Sequence, residues 1–152
     1  MENAGRIYSI VFLLKPFFSA TLRQLSRTAE SISFAIFSAS FNSTNTVLAT
    51  GDGIGQICLW RMADGYSMLT LQGHKGRVYS VAWHPGDRIL ASGSDEPTIR
   101  LWDTQTGQCL NTLRGHIGAV WSVAWSPDGK TLASSSTDRT VRLWNQNDAL
   151  CT

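Results

Sequence analysis

Residues 115–145 read GHIGAVWSVAWSPDGKTLASSSTDRTVRLWN. The stretch holds a Gly-His pair, three short alternating segments, a Pro-Asp-Gly turn and a closing tryptophan. The chain before it follows the same plan: Gly73-His74, Val78 with Val81-Ala82-Trp83, Leu90-Ala91-Ser92 and Leu101-Trp102-Asp103. Trp60, Trp102 and Trp144 follow one another at intervals of 42 residues, as do His74 and His116, without a gap. A fixed period of this length is the signature of stacked repeat units, not of one irregular core.

Within each unit the pattern predicts strands. In the second they run from about Val78 to Trp83, Ile89 to Ser94 and Thr98 to Trp102. In the third they run from Val120 to Trp125, Thr131 to Ser136 and Thr140 to Trp144. Pro85-Gly86-Asp87 and Pro127-Asp128-Gly129 join the first two strands, because proline presets a turn dihedral and glycine accepts positive φ. Asp64-Gly65 and Thr106-Gly107 lead into fourth strands at about Met68 to Leu71 and Cys109 to Leu113. The expected architecture is all-β, a partial β-propeller of about three four-stranded antiparallel blades with the last lacking its outer strand. The array covers residues 32–152 in units 32–73, 74–115 and 116–152, after a divergent segment, 1–31. The first unit is worn: Ile32 stands at the histidine position, and Asn42-Ser43-Thr44-Asn45 replaces the proline turn.

These residues resemble the WD-repeat family, with the run SVAWSPDGKTLASSS similar to bacterial multi-repeat members. The resemblance implies that His116, Ser134, Asp138 and Trp144 form a structural hydrogen-bonded tetrad. His74, Ser92, Glu96 and Trp102 are its counterpart in the second unit, where glutamate adds a methylene and is expected to loosen the network. The first unit keeps only Thr50 and Trp60, because Ile32 and Ile54 cannot hydrogen-bond in the places of the histidine and the acid, so it is expected to be the weakest blade. His116, Ser134 and Asp138 also suggest a hydrolytic triad. Against that, no G-x-S-x-G elbow occurs, and Ser134 falls inside an alternating strand. The chain is therefore expected not to be an enzyme.

The resemblance further implies partner-binding positions at one rim of the array: Arg77, Tyr79 and Asp95 in the second unit, and Ala119, Trp121 and Thr137 in the third. Aromatic and arginine side chains suit such a role, combining apolar area with a polar handle. Packing of Tyr79 and Trp121 between blades is the competing reading. Phe37 holds the same position in the first unit, so an aromatic cluster across neighbouring blades is expected. The Gly51-Asp52-Gly53-Ile54-Gly55 run lies between strands and opens no helix, which argues against a phosphate cradle.

Composition narrows the partner class. The formal charge is +2, from 13 basic and 11 acidic residues, too balanced to predict nucleic acid or an anionic membrane as partner. Cys58, Cys109 and Cys151 form no C-x-x-C pair and predict neither a zinc site nor a disulfide framework. Cys109 and Cys151 share one repeat position and are expected to act as small apolar groups. His74, His84 and His116 are not expected to bind metal, and no cofactor is expected. From Arg6 to Leu14 an apolar stretch follows a basic residue, and Phe18-Ser19-Ala20 resembles a cleavage site, so a secretory signal is considered. Lys15 and Pro16 interrupt that run well short of a membrane span. Thr21 to Ala29 has the spacing of a short amphipathic helix. A cytoplasmic location is the expectation.

Three units fall short of the roughly four to eight blades that close a propeller. The expected function is a noncatalytic protein-interaction scaffold, built into a larger propeller or an oligomer of this chain. The alternatives are blades that only complete a ring with other chains, a short stack capped by residues 1–31, or a degenerate gene fragment.

Overall fold

The computed structural model describes residues 35–145. The expected N-terminal segment 1–31, with its signal-like run and helix, lies outside them, as do Ile32 and Cys151. Eleven strands follow in order: β1 (Ile36–Phe41), β2 (Val47–Asp52), β3 (Gln56–Arg61), β4 (Ser67–Gln72), β5 (Val78–Trp83), β6 (Ile89–Ser94), β7 (Thr98–Asp103), β8 (Cys109–Arg114), β9 (Val120–Trp125), β10 (Thr131–Ser136) and β11 (Val141–Asn145). They form two four-stranded antiparallel meanders, β1-β2-β3-β4 and β5-β6-β7-β8, and a three-stranded one, β9-β10-β11. The all-β architecture of three blades, the last one strand short, is as expected, with strand ends displaced by at most one residue. Among the described residues no helix is long and apolar enough to cross a membrane.

Alternation explains the packing. One face of each of the first two blades offers a small and two aliphatic side chains from its middle strands, and the next blade covers them with residues from its first three strands. Ala49, Ile57, Leu59 and Leu71 of the first blade pack with Val78, Val81, Leu90 and Trp102 of the second. Ala91, Ile99, Leu101 and Leu113 of the second pack with Val120, Val123 and Leu132 of the third, and Trp144 lies against them. The second cluster is the first displaced by one period. Each fully buried aliphatic side chain contributes about 1.5–3 kcal/mol, so the blade interfaces hold most of the core.

Two glycines allow these interfaces to close. A Cβ on Gly51 would lie 2.6 Å from Cγ1 of Val78, and one on Gly93 would lie 2.7 Å from Cγ1 of Val120. Both glycines sit on the second strand of a blade at the same repeat position. Serine, Ser135, takes that position in the third blade.

The turns between first and second strands share a left-handed residue at one position: Asn45 (φ 57°), Asp87 (φ 58°) and Gly129 (φ 72°). In the second blade the positive φ therefore falls on Asp87 and not on Gly86 as its sequence suggests. Aspartate tolerates this conformation because its side chain bonds locally or nearby. Here the Asp87 carboxylate accepts the backbone N–H of Ser43 at 2.8 Å and its hydroxyl at 2.6 Å. The turn of blade two is thereby tied to the turn of blade one.

Cys109 does not fill a buried strand site. It is exposed on β8, the blade's outermost strand, beside the exposed Leu110.

Candidate functional site

Two constellations stand out, one buried within each blade and one exposed across the blades. In the third blade Trp144 Nε1 donates to Ser134 Oγ at 2.9 Å, and Ser134 lies 2.8 Å from His116 Nε2. His116 Nδ1 lies 2.7 Å from Asp138 Oδ2. The directions follow from chemistry, since indole only donates and a carboxylate only accepts. His116 must give its Nδ1 proton to Asp138, so its Nε2 accepts the Ser134 hydroxyl proton. The four side chains form one chain of donors running from strand β11 through β10 to the loop before β9.

The second blade repeats this. Trp102 Nε1 donates to Ser92 at 2.8 Å, Ser92 meets His74 Nε2 at 2.8 Å, and His74 Nδ1 lies 2.8 Å from Glu96. The expected loosening is thus not in the histidine contact, which is as short as in the third blade. The extra methylene changes what else the carboxylate holds. Asp138 also accepts the Thr140 hydroxyl at 2.6 Å, the Thr140 N–H at 2.9 Å and the Ile117 N–H at 3.2 Å, and its side chain is 3% exposed. Glu96 reaches past that nest, is 23% exposed and lies 4.0 Å from Arg100. The first blade retains the Trp60 Nε1 donation to Thr50 at 2.8 Å.

These contacts set the ionisation of the buried groups. The Thr140 hydroxyl bond, opposed by burial and aided by His116, holds the Asp138 carboxyl far below the usual carboxylate range. Burial pushes His74 below its ordinary value, with Glu96 acting against the shift.

The second constellation comes from irregular pairing. Ile36 pairs with Asp52 and Ser38 with Gly51, which leaves Phe37 as an extra residue. Val78 pairs with Ser94 and Ser80 with Gly93, leaving Tyr79. Val120 pairs with Ser136 and Ser122 with Ser135, leaving Trp121. Each first strand therefore carries a bulge at the same position, and each bulge re-aims an aromatic residue out of the alternation. The three rings meet across the blades. Tyr79 and Trp121 stack with centroids 4.7 Å apart and planes 16° apart, while Phe37 meets Tyr79 edge-on at 5.9 Å. Arg77 lies over the Phe37 ring at 5.9 Å. The expected aromatic cluster is present: Tyr79 is half-buried, in contact with rings of both neighbouring blades, while Trp121 is 55% exposed.

Asp95 joins the Arg77 end through the backbone: its N–H donates to Arg77 O at 3.0 Å and its carboxylate accepts the Arg77 N–H at 3.3 Å. Thr137 N–H makes the equivalent bond to Ala119 O at 2.9 Å. Thr137 is exposed, but no ring or side-chain contact ties it to Trp121 among the described residues. The Gly51 run is no loose turn throughout, because Gly51 and Asp52 belong to β2 and only residues 53–55 connect strands.

Sequence reasoning missed the contacts between turns. Besides the Asp87 clamp, Gly86 N–H donates to His84 Nδ1 at 2.9 Å, which leaves His84 Nε2 to donate to Gly129 O at 3.2 Å. Trp83 Nε1 donates to Ser40 O at 2.9 Å. The only signal was that Asn42, His84 and Ser126 share a repeat position and are all polar. No group of three or more metal-ligating side chains occurs among the described residues.

Comparison with known proteins gives the fold its context. No curated protein sequence matches the chain. Solved structures do. That of U3-55K superposes with a TM-score of 0.74 at 24% identity, covering 79% of this chain and 39% of that one. That of the RRP9 WD40 repeats gives 0.74 at 25%, covering 79% and 38%. A chain of the mitotic checkpoint complex gives 0.71 at 29%, covering 74% and 34%. The chain thus spans between 34% and 39% of the length of these structures. The family model described as WD domain, G-beta repeat matches residues 65–103 and 107–145, together just over half of the 152 residues. With its 42-residue period, its meander blades and its Trp-Ser-His-Asp chain, the protein belongs to the WD40 repeat family.

Proposed function

We propose that the chain is a noncatalytic protein-interaction module and that a protein partner binds at the ladder formed by Phe37, Tyr79 and Trp121, flanked by Arg77 and Asp95. The observation that carries this reading is the exposure of Trp121 while it stacks on Tyr79. A rigid aromatic with an open face gives up little conformational freedom on binding, and arginine beside it adds a directional donor set. The noncatalytic reading is supported by Ser134, whose buried hydroxyl already receives the indole N–H of Trp144. The near-balanced charge supports a protein partner over nucleic acid or membrane, and the free thiols Cys58 and Cys109 support a reducing, cytoplasmic setting.

The test is affinity capture from the source cells with quantitative mass spectrometry, comparing the wild-type chain with Tyr79→Ala and Trp121→Ala, each checked for fold by circular dichroism. Selective loss of the same proteins in both variants supports the reading. Identical captured sets would count against it.

A second reading, that the blades chiefly complete a larger ring with other repeats or with copies of this chain, is favoured by one observation. The face of blade three presents Val141 and Leu143 at 71% and 72% exposure, where the equivalent Ile99 and Leu101 of blade two are fully buried. Capture unchanged by the aromatic substitutions but abolished by Leu143→Lys would favour this reading.

A further inference from the structure

We infer that Arg77 is the residue by which the ladder site selects its partner, and that the partner presents to it the carboxylate of an aspartate or glutamate within an acidic protein segment. The inference rests on the ladder reading and adds to it the chemistry of the occupant.

The repeat itself shows that the fold does not need this arginine. One period before Arg77 stands Ala35, and one period after it stands Ala119. Asp95 is likewise replaced by Gly53 and Thr137. The backbone bond between the two loops persists without the charges: Asp95 N–H donates to Arg77 O at 3.0 Å, and Thr137 N–H donates to Ala119 O at 2.9 Å. Blade two thus carries a charged pair on a framework that blade three builds without one.

The two charges do not close on each other. The Asp95 carboxylate accepts the Arg77 backbone N–H at 3.3 Å, and Asp95 packs so tightly on the loop that a Cβ on Gly76 would lie 2.8 Å from its own Cβ. Among the described residues no carboxylate meets the Arg77 guanidinium within 4.0 Å, whereas Arg61, Arg88 and Arg100 each meet one. The guanidinium instead lies over the Phe37 ring at 5.9 Å, and Tyr79 holds that ring edge-on with planes 90° apart. A hydrogen bond to Tyr79, followed by Coulombic attraction to Tyr79 and Asp95, raises Arg77 above its ordinary pKa. A guanidinium steadied in this way is a planar donor fork, and it matches a carboxylate through two parallel N–H···O bonds.

Charge selects the occupant. Lys75 and Arg77 are exposed on one loop and Asp95 on the next, while Glu96 is turned to His74 at 2.8 Å. The exposed cations therefore outweigh the exposed anion by one charge, which a single carboxylate balances. A phosphomonoester, with a charge of about −1.5 to −2, would leave excess negative charge beside Asp95.

The test is selection from a phage-displayed library of random twelve-residue peptides on the full 152-residue chain, repeated on Arg77→Glu. Peptides from the wild-type selection should share an aspartate or glutamate, and those from Arg77→Glu a lysine or arginine in its place. A selected peptide, fluorescein-labelled and read by fluorescence anisotropy, should bind Arg77→Ala roughly tenfold or more weakly, and lose as much when its acidic residue becomes the matching amide. Arg77→Lys should recover only part of the binding, because an ammonium keeps the charge and loses the fork. Arg77 is exposed, so the variants should keep the circular dichroism of the wild type, and the amide peptide tests the idea without altering the protein. Peptides that need Tyr79 and Trp121 but bind Arg77→Ala undiminished would overturn the inference and leave the ladder reading standing. An empty selection, or peptides indifferent to Tyr79→Ala and Trp121→Ala, would overturn both. Tighter binding when phosphoserine replaces the acidic residue would overturn the choice of a carboxylate.

Discussion

Trp144 donates its indole N–H to the hydroxyl of Ser134 at 2.9 Å, so the serine addressed by the His116–Asp138 pair is already holding a donor. The distances along Ser134, His116 and Asp138 are those of a hydrolytic triad. What differs is the fourth member and the burial. The tryptophan makes the serine hydroxyl the middle link of a cross-strand brace. Replacing Ser134 with alanine should leave the Trp144 donor and the His116 acceptor unpaired, at roughly 1–3 kcal/mol each. Urea unfolding should show this loss, and a serine-directed fluorophosphonate should fail to label Ser134 in the folded wild-type chain.

Glu96→Asp should stabilise the chain by about 0.5–1 kcal/mol, the net value of a gained hydrogen bond. Thr98 stands where Thr140 stands in the third blade, and a shorter carboxylate would reach its N–H and hydroxyl while keeping His74. The converse change, Asp138→Glu, should destabilise by a similar amount. Paired thermal melts of the two variants would check both, and a gain from the second would contradict the nest argument.

Gly51→Ala and Gly93→Ala should each destabilise by about 1–3 kcal/mol, the range for overpacking a tight contact. Each new Cβ would fall under 3 Å from a valine of the next blade. Ser135→Ala, at the equivalent position of blade three, should change stability by less than about 0.5 kcal/mol. Denaturant titration of the three variants tests the contrast, and equal losses would mean that blade contact does not select glycine.

Acid should weaken the fold in two stages. The folded-state value of His74 is depressed by burial below its ordinary 6.5, so near and below that pH the unfolded chain binds more protons and stability falls as pH drops. Asp138 is depressed below its ordinary 3.8, and its contribution is full above that value and fades as pH falls further. Unfolding free energy measured from pH 8 to pH 3 should decline through the first window in the wild type. The decline should be smaller in His74→Gln.

Much of this was legible in the chain. The 42-residue period, the strand alternation and the turn residues specify three meander blades, because local propensity and binary pattern agree at every repeat. The Trp-Ser-His-acid sets were legible through the resemblance to the WD-repeat family, which assigns each member a place in the repeated unit. Tertiary structure decided the rest. Phe37, Tyr79 and Trp121 lie in strands whose alternation alone does not reveal the bulge that turns them out of the sheet, and their stacking exists only because three blades set those bulges side by side. The Asp87–Ser43 and His84–Gly129 contacts join turns 42 or more residues apart, which no local pattern encodes. Ile99 and Val141 are equivalent by sequence, yet one is buried and the other exposed. Burial belongs to the neighbour that covers a face, and a residue's own pattern says only which face needs covering.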